Sequence, residues 1–441
     1  MLMHTTHSCQ DSRRNPVLFG ILMAMALFGS GSGSAFGAEL ISSAPASQSA
    51  QAPIWLDSNA LLQKIDAAMA SPPAQDVSFA CRIAPGLTHY WSARVTPPVL
   101  VNIFEAAMKD SNLIEVQITK AGPTLFSRDA LDNMAQALKQ QGEKVLAGVN
   151  GGYWDTQSRP VGSLAGNGRI YTAATHQWTL LRGDHSYFLG NVEVARSVKI
   201  GSSIIEIDSY NAASPKSGSC LYLPEFGNET PTVPKSTLAV RLKVPDSPRR
   251  MNEPIACEVI DNTSGPGPFA LTANQGWLLL LSPVPVDFTE EIQPGTSAII
   301  SFFTRSIKSP IDLAISAGPM LLADGEIALA KSSGETSSLS GSAPRPRTGL
   351  GISREGNRLF LVTMEGETAG RNTGATLEQL AMELRRAGAW QAMNLDGGTS
   401  TCAWAYGRQI SRPAPLLGSR PVNNGLFFVI SSGSNPMLRQ E

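Results

Sequence analysis

Charged side chains are scarce in this sequence and the two signs nearly cancel. Asp, Glu, Lys and Arg make up 16% of 441 residues and leave a formal net charge of -1. Such a balance gives no long-range attraction for nucleic acid or an anionic membrane, so neither is an expected partner. A charged fraction below the usual quarter suits an extracytoplasmic surface. Histidine is rare too. Beyond the N-terminal segment only His89, His176 and His185 occur, none set by motif beside an Asp. They read as surface or core residues rather than bases. No Cys-x-x-Cys pair is present among the five cysteines, which argues against a structural zinc site. Ser400 is not in a Gly-x-Ser-x-Gly elbow, and no Gly-x-Gly-x-x-Gly opens a helix after a strand. A serine triad and a nucleotide cofactor are therefore not expected.

The N-terminus carries what the rest lacks. Arg13 and Arg14 precede an apolar run from Pro16 to Phe28, and Ala35-Phe-Gly-Ala-Glu39 follows. That is the order of a secretory signal. The run, about 13 residues, is short for a membrane span of about 20. The expected division is a signal peptide over 1–38, an N-terminal extension over 39–96 and one domain over 97–431. The expected location is periplasmic or secreted, with no stable membrane insertion after signal cleavage. In an oxidising compartment Cys81, Cys220, Cys257 and Cys402 would form two disulfides, with Cys220–Cys257 the pair closest in sequence.

Forty glycines and thirty prolines imply many turns. Helices are predicted from Trp55 to Met69, with Asp57 or Ser58 as cap, from Ser127 to Gln141, and after Thr376, where Gln379 completes a capping box and Gly388 stops the helix. Apolar or alternating runs predict strands at Val99–Phe104, Leu113–Thr119, Val145–Val149, Arg358–Glu365 and Gly425–Ile430. A hairpin is expected around Gly295 and a surface excursion from Asn211 to Thr230. Lys331 to Pro346, rich in Ser, Gly and Pro, reads as a loop that could act as a lid. Strands with only three or four helices point to an α+β fold: a mixed, strand-rich sheet core with a few packed helices and long loops.

Two stretches share one design. Gln391-Ala-Met-Asn-Leu-Asp-Gly-Gly-Thr-Ser400 and Val145-Leu-Ala-Gly-Val-Asn-Gly-Gly-Tyr-Trp-Asp155 each run from a strand into a polar side chain and a Gly-Gly turn. Such turns expose a polar group while keeping Cβ atoms away from a ligand. Asn150, Gly151, Gly152, Gly397, Gly398 and Ser400 are thus candidate substrate contacts, together with Arg347 and Thr348. The guanidinium has five fixed donors that suit a phosphate or carboxylate. Glu365 ends an apolar strand before Gly366, a context like that of Asp396. Carboxylates at the ends of adjacent strands serve glycoside hydrolysis, and serve equally to hold a divalent cation such as calcium. Spacing does not choose between them.

Five ordered motifs resemble the phosphodiester glycosidase domain family, which includes the enzyme that uncovers mannose 6-phosphate. They are Asn150-Gly-Gly-Tyr-Trp-Asp155, Ser316-Ala-Gly-Pro-Met-Leu-Leu-Ala-Asp-Gly325, Arg347-Thr-Gly-Leu-Gly-Ile-Ser353, Asn394-Leu-Asp-Gly-Gly-Thr-Ser400 and Arg420-Pro-Val-Asn-Asn424. The resemblance covers roughly residues 97 to 430 and implies cleavage between a sugar anomeric carbon and a phosphodiester oxygen. It places Asn150, Asp155, Arg347 and Asp396 among the cleft residues. Two departures stand out: Ala317-Gly-Pro replaces the usual Gly-Gly-Pro, and Glu365-Gly366 the usual Asp-Gly. The expectation is an exported hydrolase of a glycosyl phosphodiester or polysaccharide, with Asp396, Glu365 and Asp155 as catalytic acids. The alternatives are a non-catalytic carbohydrate or envelope-assembly binding protein and a metal-dependent phosphodiesterase.

Overall fold

The structure, a computed structural model, describes residues 52–430 apart from 72, 109–112, 175, 185, 216, 234–237, 247, 282–285, 330–341, 366–373 and 412–419. The leader pattern over 1–38 and most of the Lys331–Pro346 loop lie outside the described residues.

Helix Leu377–Ala387 shows how local chemistry sets an element. Thr376 Oγ1 accepts from Gln379 N at 3.1 Å and Gln379 Oε1 accepts from Thr376 N at 2.8 Å, closing the capping box. Leu377, Leu380, Ala381 and Leu384 form its buried face, and Gly388 ends it with φ 104° in the left-handed region. The helix lies on the strand Arg347–Ile352 because that strand offers glycine: a Cβ on Gly349 would come within 2.9 Å of Leu384 Cδ1.

A nine-stranded sheet is the backbone of the molecule. Its order is Ile54–Trp55, Val77–Ala84, Leu87–Val95, Pro98–Ala107, Arg358–Glu365, Arg347–Ile352, Gln391–Asn394, Met320–Ala323 and Glu326–Ile327. Strands from the segment read as an N-terminal extension therefore pair into the same sheet as Arg347 and Glu365. The other face of this sheet packs Phe104, Leu350 and Leu361 into one core with Val149, Leu426 and Phe428. Those last residues belong to a five-stranded sheet ordered Arg408–Gln409, Ala403–Ala405, Lys144–Asn150, Asn424–Ile430 and Ile114–Lys120. Helix Leu131–Gln140 covers its far side through Leu131, Met134 and Leu138, against Phe427 and Val429. The result is a helix–sheet–sheet–helix stack. A second five-stranded sheet, containing Leu164–Gly166 and Leu313–Ser316, packs Ala165, Leu181 and Ala314 against an eight-stranded sheet through Val240, Leu278 and Ile300. The fold is α+β and strand-rich, as expected.

Several details differ from the sequence expectation. The four described cysteines are free, so the expected disulfides are absent. Cys220 lies on strand Ser219–Tyr222 and Cys257 on Ile255–Ser264, with Gln275–Leu280 and Leu238–Lys243 between them in the eight-stranded sheet. Three strand spacings separate their strands by roughly 14 Å, and the register places Cys257 six residues along from Thr263, the position level with Cys220, so they lie beyond disulfide reach. Asn211 to Thr230 is not a surface excursion, since Asn211 and strand Ser219–Tyr222 are buried. Glu291 ends a short helix, Val286–Glu291, and Gly295 (φ 88°) turns into strand Ser297–Phe303, which pairs with Ala195–Ile200 and Ile255–Ser264 rather than forming a hairpin. Helix Leu131–Gln140 starts four residues late because Asp129 is held extended in a bridge to Val422. Among the described residues no helix is long and apolar enough to cross a membrane.

Candidate functional site

The two Gly-Gly turns meet. Strand Lys144–Asn150 of the five-stranded sheet ends at Asn150, and strand Gln391–Asn394 of the nine-stranded sheet leads to Asp396. Asp396 N donates to Gly151 O at 3.1 Å, and Asn150 Nδ2 donates to Asp396 O at 2.6 Å. Asn150 is fully buried and works as a fastener: its Oδ1 also accepts from Thr348 Oγ1 at 2.8 Å and Cys402 N at 3.0 Å. One amide thus joins both sheets and both turns.

The glycines are needed for close approach. A Cβ on Gly151 would fall 1.9 Å from Asn424 Oδ1, and one on Gly152 would fall 2.4 Å from Ser316 O. Asn424 Oδ1 accepts from Gly152 N at 2.8 Å, fixing the first turn from the Arg420-Pro-Val-Asn-Asn424 motif. Gly397 packs near Pro346 O, whereas Gly398 has φ 61° and no atom within 4 Å of its would-be Cβ. The second turn is therefore open on one side.

Asn394 and Tyr153 connect the site to the Ala317-Gly-Pro segment. Tyr153 OH donates to Gly318 O at 2.8 Å, and Asn394 Nδ2 donates to Tyr153 OH at 2.6 Å and to Gly318 O at 3.1 Å. Asn394 Oδ1 is buried without a partner. Asp396 Oδ1 accepts from Gly397 N at 2.9 Å. Burial pushes the Asp396 carboxyl above its ordinary range, while Ser400, the Gly397 amide and the Arg420 charge pull it back only in part.

The remaining candidates take different positions. Thr348 faces the five-stranded sheet, but Arg347 follows strand alternation to the helix face with Gly349 and Gly351. Its Nε donates to Ala375 O at 3.0 Å and its Nη2 to Ala343 O at 2.8 Å. Desolvation lowers the guanidinium's pKa from its usual value. Arg347 and Thr348 therefore do not converge on one ligand atom. Asp155 Oδ1 accepts from Gln157 N and Arg159 N, both at 2.9 Å, which closes a local turn.

Glu365 and Asp396 are not on adjacent strands: Arg347–Ile352 lies between Arg358–Glu365 and Gln391–Asn394. Two strand spacings put their backbones roughly 10 Å apart. Buried Glu365 accepts from Asn102 Nδ2 at 3.0 Å, in a chain that sequence reasoning did not assemble. His89 Nε2 is 3.1 Å from Asn102 Oδ1, which can only accept, so Nε2 carries the proton and Nδ1 accepts from Tyr406 OH at 3.0 Å. Burial pushes His89 down to about 3. The histidine is a neutral core residue, as read from the sequence. Asn102 and Tyr406 gave no motif signal, whereas Tyr153, Asn394, Arg420 and Asn424 stood inside recognised motifs without a role.

Among the described residues no group of three or more His, Cys, Asp and Glu side chains is placed to hold a metal ion. A cavity of about 260 Å³ lined by Lys120, Asn167, Arg169, Tyr171 and Glu225 includes none of the expected site residues. Lys120 there is occupied by the Ala121 and Gly122 carbonyls at 2.7 and 2.8 Å.

Comparison with known proteins gives a family match over part of the chain and a shared fold. The model of the phosphodiester glycosidase family matches residues 281–429, a span holding Arg347, Glu365, Asp396 and Arg420 but not Asn150 or Asp155. No curated protein matches significantly. A hypothetical protein from Synechocystis is 17% identical with a TM-score of 0.62; the alignment covers 82% of this chain and 64% of that one. A candidate exported protein from Burkholderia pseudomallei is 18% identical with a TM-score of 0.57, covering 76% and 75%. These two share the fold. The zebrafish N-acetylglucosamine-1-phosphodiester alpha-N-acetylglucosaminidase catalytic domain, auto-inhibited by its pro-peptide, is 16% identical with a TM-score of 0.39, covering 82% and 85%. Within residues 281–429, then, the chain is similar to the phosphodiester glycosidase family.

Proposed function

We propose that this chain is an exported hydrolase of glycosyl phosphodiesters that cleaves between the anomeric carbon and the phosphodiester oxygen, with an envelope or exported polysaccharide as the substrate class. The observation carrying this reading is Asp396: a desolvated acid on an open Gly-Gly turn, in the segment matched by the family model. A carboxylate whose pKa is raised is a stronger base, suited to take a proton from an attacking water. Water oxygen bonds to the anomeric carbon, Asp396 receives the water proton, and the bonding pair of the scissile C–O bond leaves with the phosphate. Phosphate is a tolerable leaving group, so a poised general acid is not needed. Arg347, whose Cδ lies 3.9 Å from the would-be Cβ of Gly397, supplies positive charge behind the turn. Export rests on the leader pattern of residues 1–38.

The test is turnover of a sugar-1-phosphodiester in ¹⁸O-labelled water. Label on the sugar is expected, and Asp396→Asn should slow turnover by about 10²- to 10⁴-fold. Label on phosphate would instead indicate P–O cleavage by a phosphodiesterase, and an unchanged rate in Asp396→Asn would remove Asp396 from the chemistry.

A further inference from the structure

Trp154, three residues after Gly151, carries two cations on its ring. Arg128 Cζ lies 4.9 Å and Arg420 Cζ 5.1 Å from the ring centroid. Arg420 also donates from Nη1 to Thr399 Oγ1, which fixes it to the open turn beside Asp396, and its charge reaches the Asp396 carboxyl. Among the described residues neither arginine has a carboxylate within ion-pair distance, although Arg94, Arg169, Arg182, Arg241, Arg249, Arg358 and Arg408 each do. The Trp154 Nε1 donor is buried without a partner. Leaving a buried donor unpaired is costly, so this is a place where an added acceptor would be stabilised.

Stacking on an indole holds a guanidinium plane in place while leaving its edge N–H groups free. Arg347 offers less: two of its nitrogens already donate to backbone carbonyls. We propose that Arg128 and Arg420, stacked on Trp154, form an anion-binding clip that receives the phosphodiester group of the substrate, beside the turn that presents Asp396. This rests on the reading of the site as a glycosyl phosphodiester hydrolase, and it moves the phosphate contact from Arg347 to Arg128 and Arg420.

Dimethyl phosphate, a phosphodiester monoanion with no sugar, tests the clip on the full chain by calorimetric titration, with melting temperature checked for every variant. Affinity should fall about tenfold in Arg420→Gln and in Arg128→Gln, recover in part in Arg420→Lys, and weaken with salt. Trp154→Leu should also weaken binding by releasing both side chains. Absence of binding to the parent chain, or equal binding by the parent and both Gln variants, would overturn the clip. Turnover separates the two ideas. Arginine-dependent binding without hydrolysis of any glycosyl phosphodiester leaves the clip standing and removes the hydrolase reading. Hydrolysis with KM unchanged in both Gln variants removes the clip alone.

Discussion

Replacing Asn150 by alanine should damage stability and the site together, because one fully buried amide satisfies groups from three parts of the chain. Its Oδ1 accepts from the Thr348 hydroxyl at 2.8 Å and the Cys402 amide at 3.0 Å, and its Nδ2 donates to the Asp396 carbonyl at 2.6 Å. Alanine leaves all three without that partner in a buried region. At about 1–3 kcal/mol for each stranded group, discounted for relaxation or an entering water, the loss should be about 3–5 kcal/mol. Urea unfolding monitored by tryptophan fluorescence would measure it. The reasoning also requires coupling: Thr348→Val should cost less in the Asn150→Ala background than in the parent, by about 1 kcal/mol. A loss below about 1 kcal/mol for Asn150→Ala, or strict additivity with Thr348→Val, would refute the fastener role.

Three further outcomes follow from the same geometry. Gly152→Ala, whose Cβ would sit 2.4 Å from the Ser316 carbonyl, should destabilise by about 1–3 kcal/mol and displace the turn, checked by thermal melting and turnover. His89 is depressed from 6.5 to about 3, so the unfolded chain binds the proton first as pH falls. Its contribution is intact above about pH 6.5 and is progressively lost towards pH 3, by up to ~5 kcal/mol, a slope that should flatten in His89→Gln in urea titrations across that range. Asp396 has the opposite sign: with its folded pKa raised above 3.8, its protonated form stabilises the fold, and that stability is lost as pH rises through the folded pKa. Asp396→Asn should accordingly melt higher than the parent at neutral pH while losing turnover, and a lower melting temperature would contradict the burial argument.

Local rules settled what the sequence by itself determined. The Thr376–Gln379 capping box, the Gly388 terminator and the Asp57 cap all formed as read, because each depends on residues within four positions of one another. Strands such as Arg358–Glu365 were legible because an uninterrupted apolar run suits burial on both faces. The Gly-Gly turns and their motif partners were legible as a set, and with them the α+β class. Only the tertiary structure decided the rest. Asn150 and Asp396 are 246 residues apart, and no periodicity shows that one side chain fastens the other's backbone. Sheet order, which follows long-range pairing, put Arg347–Ile352 between Glu365 and Asp396 and two strands between Cys220 and Cys257. Pleat alternation, once the helix had chosen its face of the sheet, turned Arg347 away from Thr348. The stacking of Arg128 and Arg420 on Trp154 likewise depends on three distant segments meeting, which the physics of close packing fixes and local sequence cannot.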